Sequence, residues 1–374
     1  MDYYIRNCRI NKVRHLSGID INLRKKDSMR HLILTGRNGS GKTSVLEAVR
    51  DCLMNISTAH GDTSSQGVEL IFNCAKEIMY SSFQTGQYVL AYFGAHHEFR
   101  ADIPKQIEKI EPDRIYSIDK SACDNLLRFM VARKTAQAFA ITEGNRNRAE
   151  TIQKWFDRIE NILKEIYEDP FLRLEFDQQD YNFYIILENG IRFDFNSASD
   201  GFSAIVDIVM DLLIRMNIND IDADGFNQPG IVLIDELETH LHLSLQKKIF
   251  KLLTRLFPHI QFIVSTHSPF VLTSADNTII YDLEKEILIE NGLSDYSYSG
   301  IVESYFNVDQ ISESLRNHYD EYIRLTSQTD LDDDSLLRIA GLERELDEIP
   351  DFLMLRFSTE YKRRKLEFHN REDI

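Results

Sequence analysis

Short apolar runs that end in small or charged residues are the main pattern of this chain. Four of them stand at residues 31–34, 231–234, 261–264 and 278–281. Between them lie amphipathic segments, and in residues 245–256 apolar side chains recur every three or four positions. Buried strands that alternate with amphipathic helices predict an α/β fold, with a mixed or parallel sheet flanked by helices.

Two other patterns lie between the first and second of these runs. Residues 150–167 carry an apolar stripe with three- and four-residue spacing, which predicts a helix in a short helical insertion. This helix either packs as a lid on its own domain or contacts a partner. Residues 171–195 alternate apolar and polar side chains around Asn189-Gly190, which predicts a β-hairpin.

These patterns predict four segments along the chain. Residues 1–100 form an N-terminal lobe and residues 101–170 form the helical insertion. Residues 171–298 form a second lobe of strands and helices, and residues 299–374 form a helical tail. At 374 residues the chain is long enough to bury a complete α/β core and to carry these additions.

Composition limits the classes of partner. A net charge of −17 excludes a general coat for DNA, because contacts to phosphate supply most non-specific affinity. A local DNA contact stays open at basic residues 12, 14, 24–26 and 362–365, which are otherwise solvated faces beside acidic neighbours. The longest apolar runs are too short for a membrane helix, and four widely spaced cysteines suit free thiols in the cytoplasm.

A phosphate-binding loop follows the first apolar run. Residues 36–43 match the pattern G-x-x-x-x-G-K-[ST], and a helix is predicted to begin directly after them. Lys42 is expected to reach the β- and γ-phosphates of ATP, and the Thr43 hydroxyl is expected to bind Mg²⁺. The backbone of the loop and the helix start complete the predicted nucleotide site. Its residues are Gly36, Arg37, Asn38, Gly39, Ser40, Gly41, Lys42, Thr43 and Ser44.

Two later runs end in residues suited to hydrolysis. Asp235 ends the second apolar run and is predicted to hold Mg²⁺ together with Thr43. Glu236 follows, where a carboxylate can take a proton from an attacking water. His267 follows the third run and can donate to the γ-phosphate.

With these motifs in this order, the chain resembles the ABC-type ATPases of the SMC, RecF and OLD group. The resemblance implies a P-loop ATPase head that hydrolyses ATP within a head-to-tail dimer or a higher oligomer. It also implies a signature segment, best matched by Ser199, Asp200 and Gly201, that closes the partner's site. Phe202 departs from the usual acid or amide, and a plain helix cap at these residues stays open. Residues 238–242 resemble the D-loop.

Within this group the chain is most similar to stand-alone ATPase subunits of anti-phage systems of the Septu, retron-associated and PARIS types. No fused TOPRIM nuclease is recognisable in the sequence. The resemblance therefore implies a sensor-scaffold that controls a separate nuclease of HNH or TOPRIM type, and no membrane partner. A RecF-like DNA-repair ATPase is the alternative. The family's Q-loop glutamine has two candidates, Gln84 and Gln87.

Overall fold

The chain forms two compact units, Met1–Tyr296 and Ser297–Ile374. All the described strands belong to the first unit, and helices occur in both. The computed structural model describes residues 2–23, 28–57, 64–65, 67–95, 100–107, 113, 115–216, 227–274, 277–290, 292–293, 301, 313–329, 331–347 and 355–371. The basic residues 24–26 lie outside the described part.

The elements follow one another in mixed order. The described strands are β1 (Ile5–Val13), β2 (Leu16–Asn22), β3 (His31–Thr35), β4 (Ser64–Ser65), β5 (Val68–Phe72), β6 (Val89–Phe93), β7 (Arg173–Asp177), β8 (Asn182–Ile186), β9 (Arg192–Asp194), β10 (Gly230–Ile234), β11 (Ile260–Ser265), β12 (Thr278–Asp282) and β13 (Ile287–Ile289). The described α-helices are α1 (Lys42–Ser57), α2 (Lys76–Gln84), α3 (Leu126–Thr142), α4 (Arg146–Tyr167), α5 (Asp200–Arg215), α6 (Leu243–Gln246), α7 (Ile249–Leu256), α8 (Pro269–Leu272), α9 (Glu313–Thr326), α10 (Asp333–Asp347) and α11 (Leu355–His369).

A six-stranded sheet forms the centre of the first unit, in the order β13-β12-β3-β11-β10-β6. All its neighbouring strands pair in parallel except β12 and β13, which form an antiparallel pair at one edge. Every residue of β3, β10, β11 and β12 is buried, as expected for strands covered on both faces. The predicted α/β fold with a mixed sheet flanked by helices is confirmed.

An antiparallel sheet of order β2-β1-β5-β4 packs with α1 over one face of the central sheet. Gln261 of β11 links the two sheets, although its side chain is completely buried. Its amide accepts a hydrogen bond from Ile5 N at 2.7 Å and donates to Ile5 O at 3.0 Å and to Arg30 O at 2.8 Å. A buried amide with its partners satisfied holds two distant segments together without a desolvation penalty.

The helical insertion packs on its own unit. The predicted stripe of α4 is buried, and Phe156 from this stripe stacks on Phe183 of β8 at 5.5 Å between ring centroids. Trp155 packs edge-on against Phe129 of α3 at 5.7 Å. The lid interpretation therefore accounts for the stripe. The predicted hairpin is present as the antiparallel sheet β7-β8-β9.

A buried ion pair fixes α5 to the central sheet. The Arg215 guanidinium contacts the Asp211 carboxylate and donates to Leu90 O at 2.9 Å and Ser117 O at 3.0 Å. Asp211 in turn accepts from Ala122 N at 2.5 Å. Burial and the neighbouring Asp211 raise the pKa of Asp207, one turn earlier, to about 7. The helix that begins at the predicted signature thus has a fixed position beside β6.

The structure corrects one prediction and extends another. Residues 245–256 do not form one helix, because the chain turns at Lys247 and Lys248 between α6 and α7.

The second unit is helical where it is described, and its three helices share a small core around Tyr322 and Tyr361. In its basic stretch, Lys365 pairs with Asp347 at 2.6 Å. Within the described residues, no helix is long and apolar enough to cross a membrane.

Replacing Arg215 by methionine should lower the free energy of unfolding by about 3 kcal/mol or more, because the Asp211 charge would stay buried without its partner. Chemical denaturation of Arg215→Met beside Arg148→Met, an exposed arginine on α4, measures the difference. A loss below about 1 kcal/mol would show that Asp211 is neutralised in another way.

Candidate active site

The loop between β3 and α1 is tightly curled. Gly36, Gly39 and Gly41 all have positive φ angles, of 131°, 84° and 100°. A Cβ atom at Gly36 would lie 2.8 Å from Ser40 Oγ, and one at Gly41 would lie 2.9 Å from Leu16 Cδ1. Only glycine fits both the angles and the space at these two positions.

Lys42 lies inside this curl. Its ammonium donates hydrogen bonds to Gly36 O at 2.9 Å and Arg37 O at 3.1 Å, and the residue is only 5% exposed. Burial lowers its pKa, and the carboxylates of Glu236, Glu238 and Asp235 act in the opposite direction. Thr43 is exposed beside it, while Ser44 is buried.

The residues of the loop fit a phosphate group with its metal ion. Ser40 Oγ and Thr35 Oγ1 are buried, and neither has a hydrogen-bond partner among the described residues. A curl lined by glycines at the start of a 16-residue helix presents backbone N–H groups to an anion. The Thr43 hydroxyl and the Asp235 carboxylate are oxygen donors of the kind that Mg²⁺ prefers.

The end of β10 brings two acids to the same edge of the sheet. Asp235 is 1% exposed, and its Oδ1 accepts a hydrogen bond from Ser265 Oγ at 2.5 Å. Ser265 Oγ also accepts from Glu236 N at 2.7 Å, so the last residue of β11 positions both acids. Glu236 has a φ of 52°, a left-handed conformation that non-glycine residues seldom adopt. Such strained residues cluster at functional sites.

Glu238 holds the loop that carries His267, a contact that the sequence did not predict. Its carboxylate accepts from Thr266 Oγ1 at 2.7 Å and from His267 N. Burial and the Lys42 charge lower the pKa of His267, so its ring is neutral at pH 7. The only sequence signal was an acid three residues beyond Asp235, within the predicted D-loop.

The turn between β12 and β13 holds the first residues of the P-loop. Glu284 accepts from Arg37 N at 3.1 Å, and its carboxylate lies 3.3 Å from Arg37 Nε. Asp282 shapes this turn by accepting from Glu284 N at 2.9 Å and Lys285 N at 3.0 Å. In the sequence, the only related feature is an acid, Asp282, at the end of an apolar run. Nothing in the sequence places this turn beside the P-loop.

The predicted signature lies at the start of α5. Ser199 is exposed at the N-cap position, but its side chain makes no capping hydrogen bond. A Cβ atom at Gly201 would lie 2.6 Å from His240 O, so this glycine touches the predicted D-loop of its own chain. Phe202 stacks on Tyr167 at the end of α4, with 4.3 Å between ring centroids. This stack gives the unusual phenylalanine a structural partner. The side chain of Asp200 lies outside the described part.

The structure thus brings the P-loop, Asp235, Glu236 and His267 to one edge of the sheet. No described hydrogen bond or ion pair joins Ser199 or Gly201 to the P-loop of the same chain. Both Q-loop candidates lie before the amino end of β6, away from this edge: the Gln84 side chain donates to Ser57 O at the far end of α1, and Gln87 N donates to Ser82 O.

Residues 124–273 match a protein family described as "AAA domain, putative AbiEii toxin, Type IV TA system". Over 365 residues the chain is 22% identical to the Septu protein PtuA of Bacillus mycoides. This match covers 88% of this chain and 48% of that protein. Over 90 residues it is 41% identical to the retron Vc95 probable ATPase of Vibrio cholerae, covering 24% of this chain and 18% of that protein. The chain is therefore similar in sequence to a Septu protein and to a retron ATPase.

The predicted likeness to Septu and retron ATPases is therefore confirmed. The chain matches about half the length of the Septu protein and less than a fifth of the retron protein. The solved SMC head domain from Thermotoga maritima is similar at 15% identity and a TM-score of 0.38, over 74% of this chain and 94% of that domain.

Replacing Gly201 by alanine should destabilise the protein by about 1–3 kcal/mol, because the new methyl group collides with the backbone at His240. Gly341→Ala is the matched control: it lies inside helix α10 with open space around it, and should stabilise by about 0.5–1 kcal/mol. Chemical denaturation of both variants tests the contact. Equal effects in the two would refute close packing between signature and D-loop.

Proposed function

We propose that this chain is an ATPase head that binds ATP with Mg²⁺, hydrolyses it, and thereby controls a separate nuclease in anti-phage defence. One observation carries the ATPase part. The buried Lys42 ammonium lies in the P-loop curl, Ser265 Oγ bonds both the Asp235 carboxylate and Glu236 N, and the Glu238 carboxylate bonds His267 N. Groups from three separate loops thus meet at one edge of the sheet, beside a curl that offers backbone N–H groups to an anion.

The P-loop side of the site binds the nucleotide. Lys42 exchanges its hydrogen bonds to the Gly36 and Arg37 carbonyls for bonds to the β- and γ-phosphates. Ser40 Oγ, buried beside the curl, donates to a phosphate oxygen. Thr43 and Asp235 would hold Mg²⁺, which would supply positive charge beside the phosphate oxygens.

The other side of the site acts on water. Glu236, aimed by its left-handed backbone and by Ser265, accepts a proton from the attacking water. His267 is neutral and donates one ring N–H toward the γ-phosphate. Glu238 positions His267 through its backbone N–H. Each group therefore has one task and is oriented by a separate hydrogen bond.

The complete site is proposed to need a second copy of the chain. Ser199 is exposed, and the signature segment packs on the D-loop of its own chain, so both can face a partner together. In a head-to-tail dimer, Ser199, Asp200 and Gly201 of one copy would cover the nucleotide of the other. ATP binding then favours the closed state by its differential affinity for it.

The nuclease part of the proposal rests on similarity. The chain is similar to a Septu protein and to a retron probable ATPase. The proposed partner is a nuclease of HNH or TOPRIM type, which this chain would hold in the cytoplasm. A local contact with DNA at basic side chains such as Lys12 and Arg14 would bring the substrate to that partner.

Lys42→Ala should weaken ATP binding by about 3 kcal/mol, or roughly 100-fold, because charge-assisted bonds to two phosphates are lost. Calorimetric titration with a slowly hydrolysed ATP analogue measures this, with Lys154→Ala as a control on an exposed face of α4. Unchanged affinity in Lys42→Ala would defeat the assignment of the ATP site.

Glu236→Gln should abolish turnover and trap an ATP-bound dimer, because the amide orients water without accepting its proton. Light scattering with and without ATP and Mg²⁺ should show a nucleotide-dependent doubling of mass. The control Glu188→Gln, on an exposed turn, should behave as the parent protein.

An oligomer whose mass is the same with and without nucleotide would argue against ATP-driven closure. ATP-dependent DNA binding by the purified chain alone would favour the RecF-like alternative over control of a separate nuclease.

A further inference from the structure

A tyrosine from β6 faces the Asp235 side of the site. Strands β6 and β10 pair in parallel, with Tyr92 opposite Leu233 and Phe93 opposite Ile234. Asp235 N continues this ladder by donating to Phe93 O at 2.8 Å. Side chains alternate between the two faces of a sheet, so Leu233, Asp235 and Tyr92 all share one face. Leu233 and Tyr92 belong to the core that α1 covers, which identifies this face.

The Tyr92 ring reaches along its strand to the edge where Asp235 lies. A Cβ atom placed on Gly94 would be 3.9 Å from Tyr92 Cε1 and 4.0 Å from its hydroxyl oxygen. Gly94 is the residue beside Asp235 in this register, and it has no side chain of its own. The phenol therefore lies in van der Waals reach of the backbone position beside Asp235.

Helix α1 holds the ring from the other side. The Arg50 guanidinium lies 5.1 Å from the centre of the Tyr92 ring and is itself held by Asp51 at 2.8 Å. Thr43 lies two helical turns before Arg50 on the same side of α1. The Tyr92 ring thus packs on the side of α1 whose first turn carries Thr43, next to the strand end that carries Asp235.

The chemistry of the phenol suits a hydrogen-bond donor. A tyrosine hydroxyl keeps its proton at pH 7 and can donate one hydrogen bond. Ser265 already donates to one oxygen of the Asp235 carboxylate. A second donor from the β6 side would fix the carboxylate against rotation.

We propose that Tyr92 is a positioning residue of the Mg²⁺ site, whose hydroxyl holds the Asp235 carboxylate through one bridging water in the orientation that receives the ion. The bridging water is part of this proposal, since a water can link two polar groups that do not bond directly. This inference rests on the proposed ATP site. It adds β6 to the three loops from which that site is built.

Tyr92→Phe removes only the hydroxyl. Tyr88→Phe is its matched control, since Tyr88 directly precedes the same strand, four residues before Tyr92, and donates to Tyr3 O at 2.8 Å. Both are made in the Glu236→Gln background, so that turnover does not disturb the measurement. The readout is the affinity for a fluorescent ATP analogue, first in EDTA and then across a Mg²⁺ titration.

In Tyr92→Phe, the Mg²⁺ concentration that gives half of the affinity gain should rise about five- to tenfold, as expected for one lost hydrogen bond. Affinity in EDTA should stay within about twofold of the parent, because the P-loop contacts are intact. In Tyr88→Phe both quantities should match the parent, even where thermal stability falls. A similar shift with Mn²⁺ would further support a role at the metal ion.

Two outcomes would overturn the inference alone. A Mg²⁺ titration of Tyr92→Phe that superimposes on the parent would show that the hydroxyl does not act on the ion. An equal loss of affinity in EDTA and in Mg²⁺ would assign Tyr92 to the shape of the pocket. If the ATP affinity of the parent protein does not depend on Mg²⁺ at all, the proposed ATP site with its Mg²⁺ ion is wrong, and this inference is wrong with it.

Discussion

The parallel register of β3, β11, β10 and β6 is the constraint on which the site depends. Because these strands run the same way, their carboxyl ends meet at one edge, and each supplies one part of the site. A slip of β10 by a single residue would turn Asp235 to the opposite face. Gly230 disfavours such a slip, because another residue brought to its position would place its Cβ atom 2.4 Å from Val89 O.

Charge balance follows from that register. Lys42 is almost completely enclosed, and an enclosed ammonium is stable only when carboxylates and carbonyl groups replace its water. Asp235, Glu236 and Glu238 come close enough to do this only because β10 ends beside the P-loop. The acids proposed for catalysis therefore also compensate the buried charge, and stability and activity are linked at these positions.

The P-loop and the acids after β10 can be proposed from sequence alone, because each motif is a continuous run of residues. The sequence does not reveal the clamp of Glu284 on Arg37, or the contact of Gly201 with His240, since these depend on which strands and loops become neighbours. The turn at Lys248 that divides α6 from α7 was missed for a different reason. The apolar spacing continues through it, and tertiary packing overrides the local preference.

The amide of Gln261 has a consequence for synthesis. It joins Ile5 to a strand made 256 residues later, and β3 itself lies between two strands from the far end of the same unit. At about 5–20 residues per second, the first strands wait on the order of 10–50 s on the ribosome before their partners emerge. The P-loop is translated early but remains without its sheet during that interval. A truncated product that ends before β11 would therefore lack the framework that holds a nucleotide.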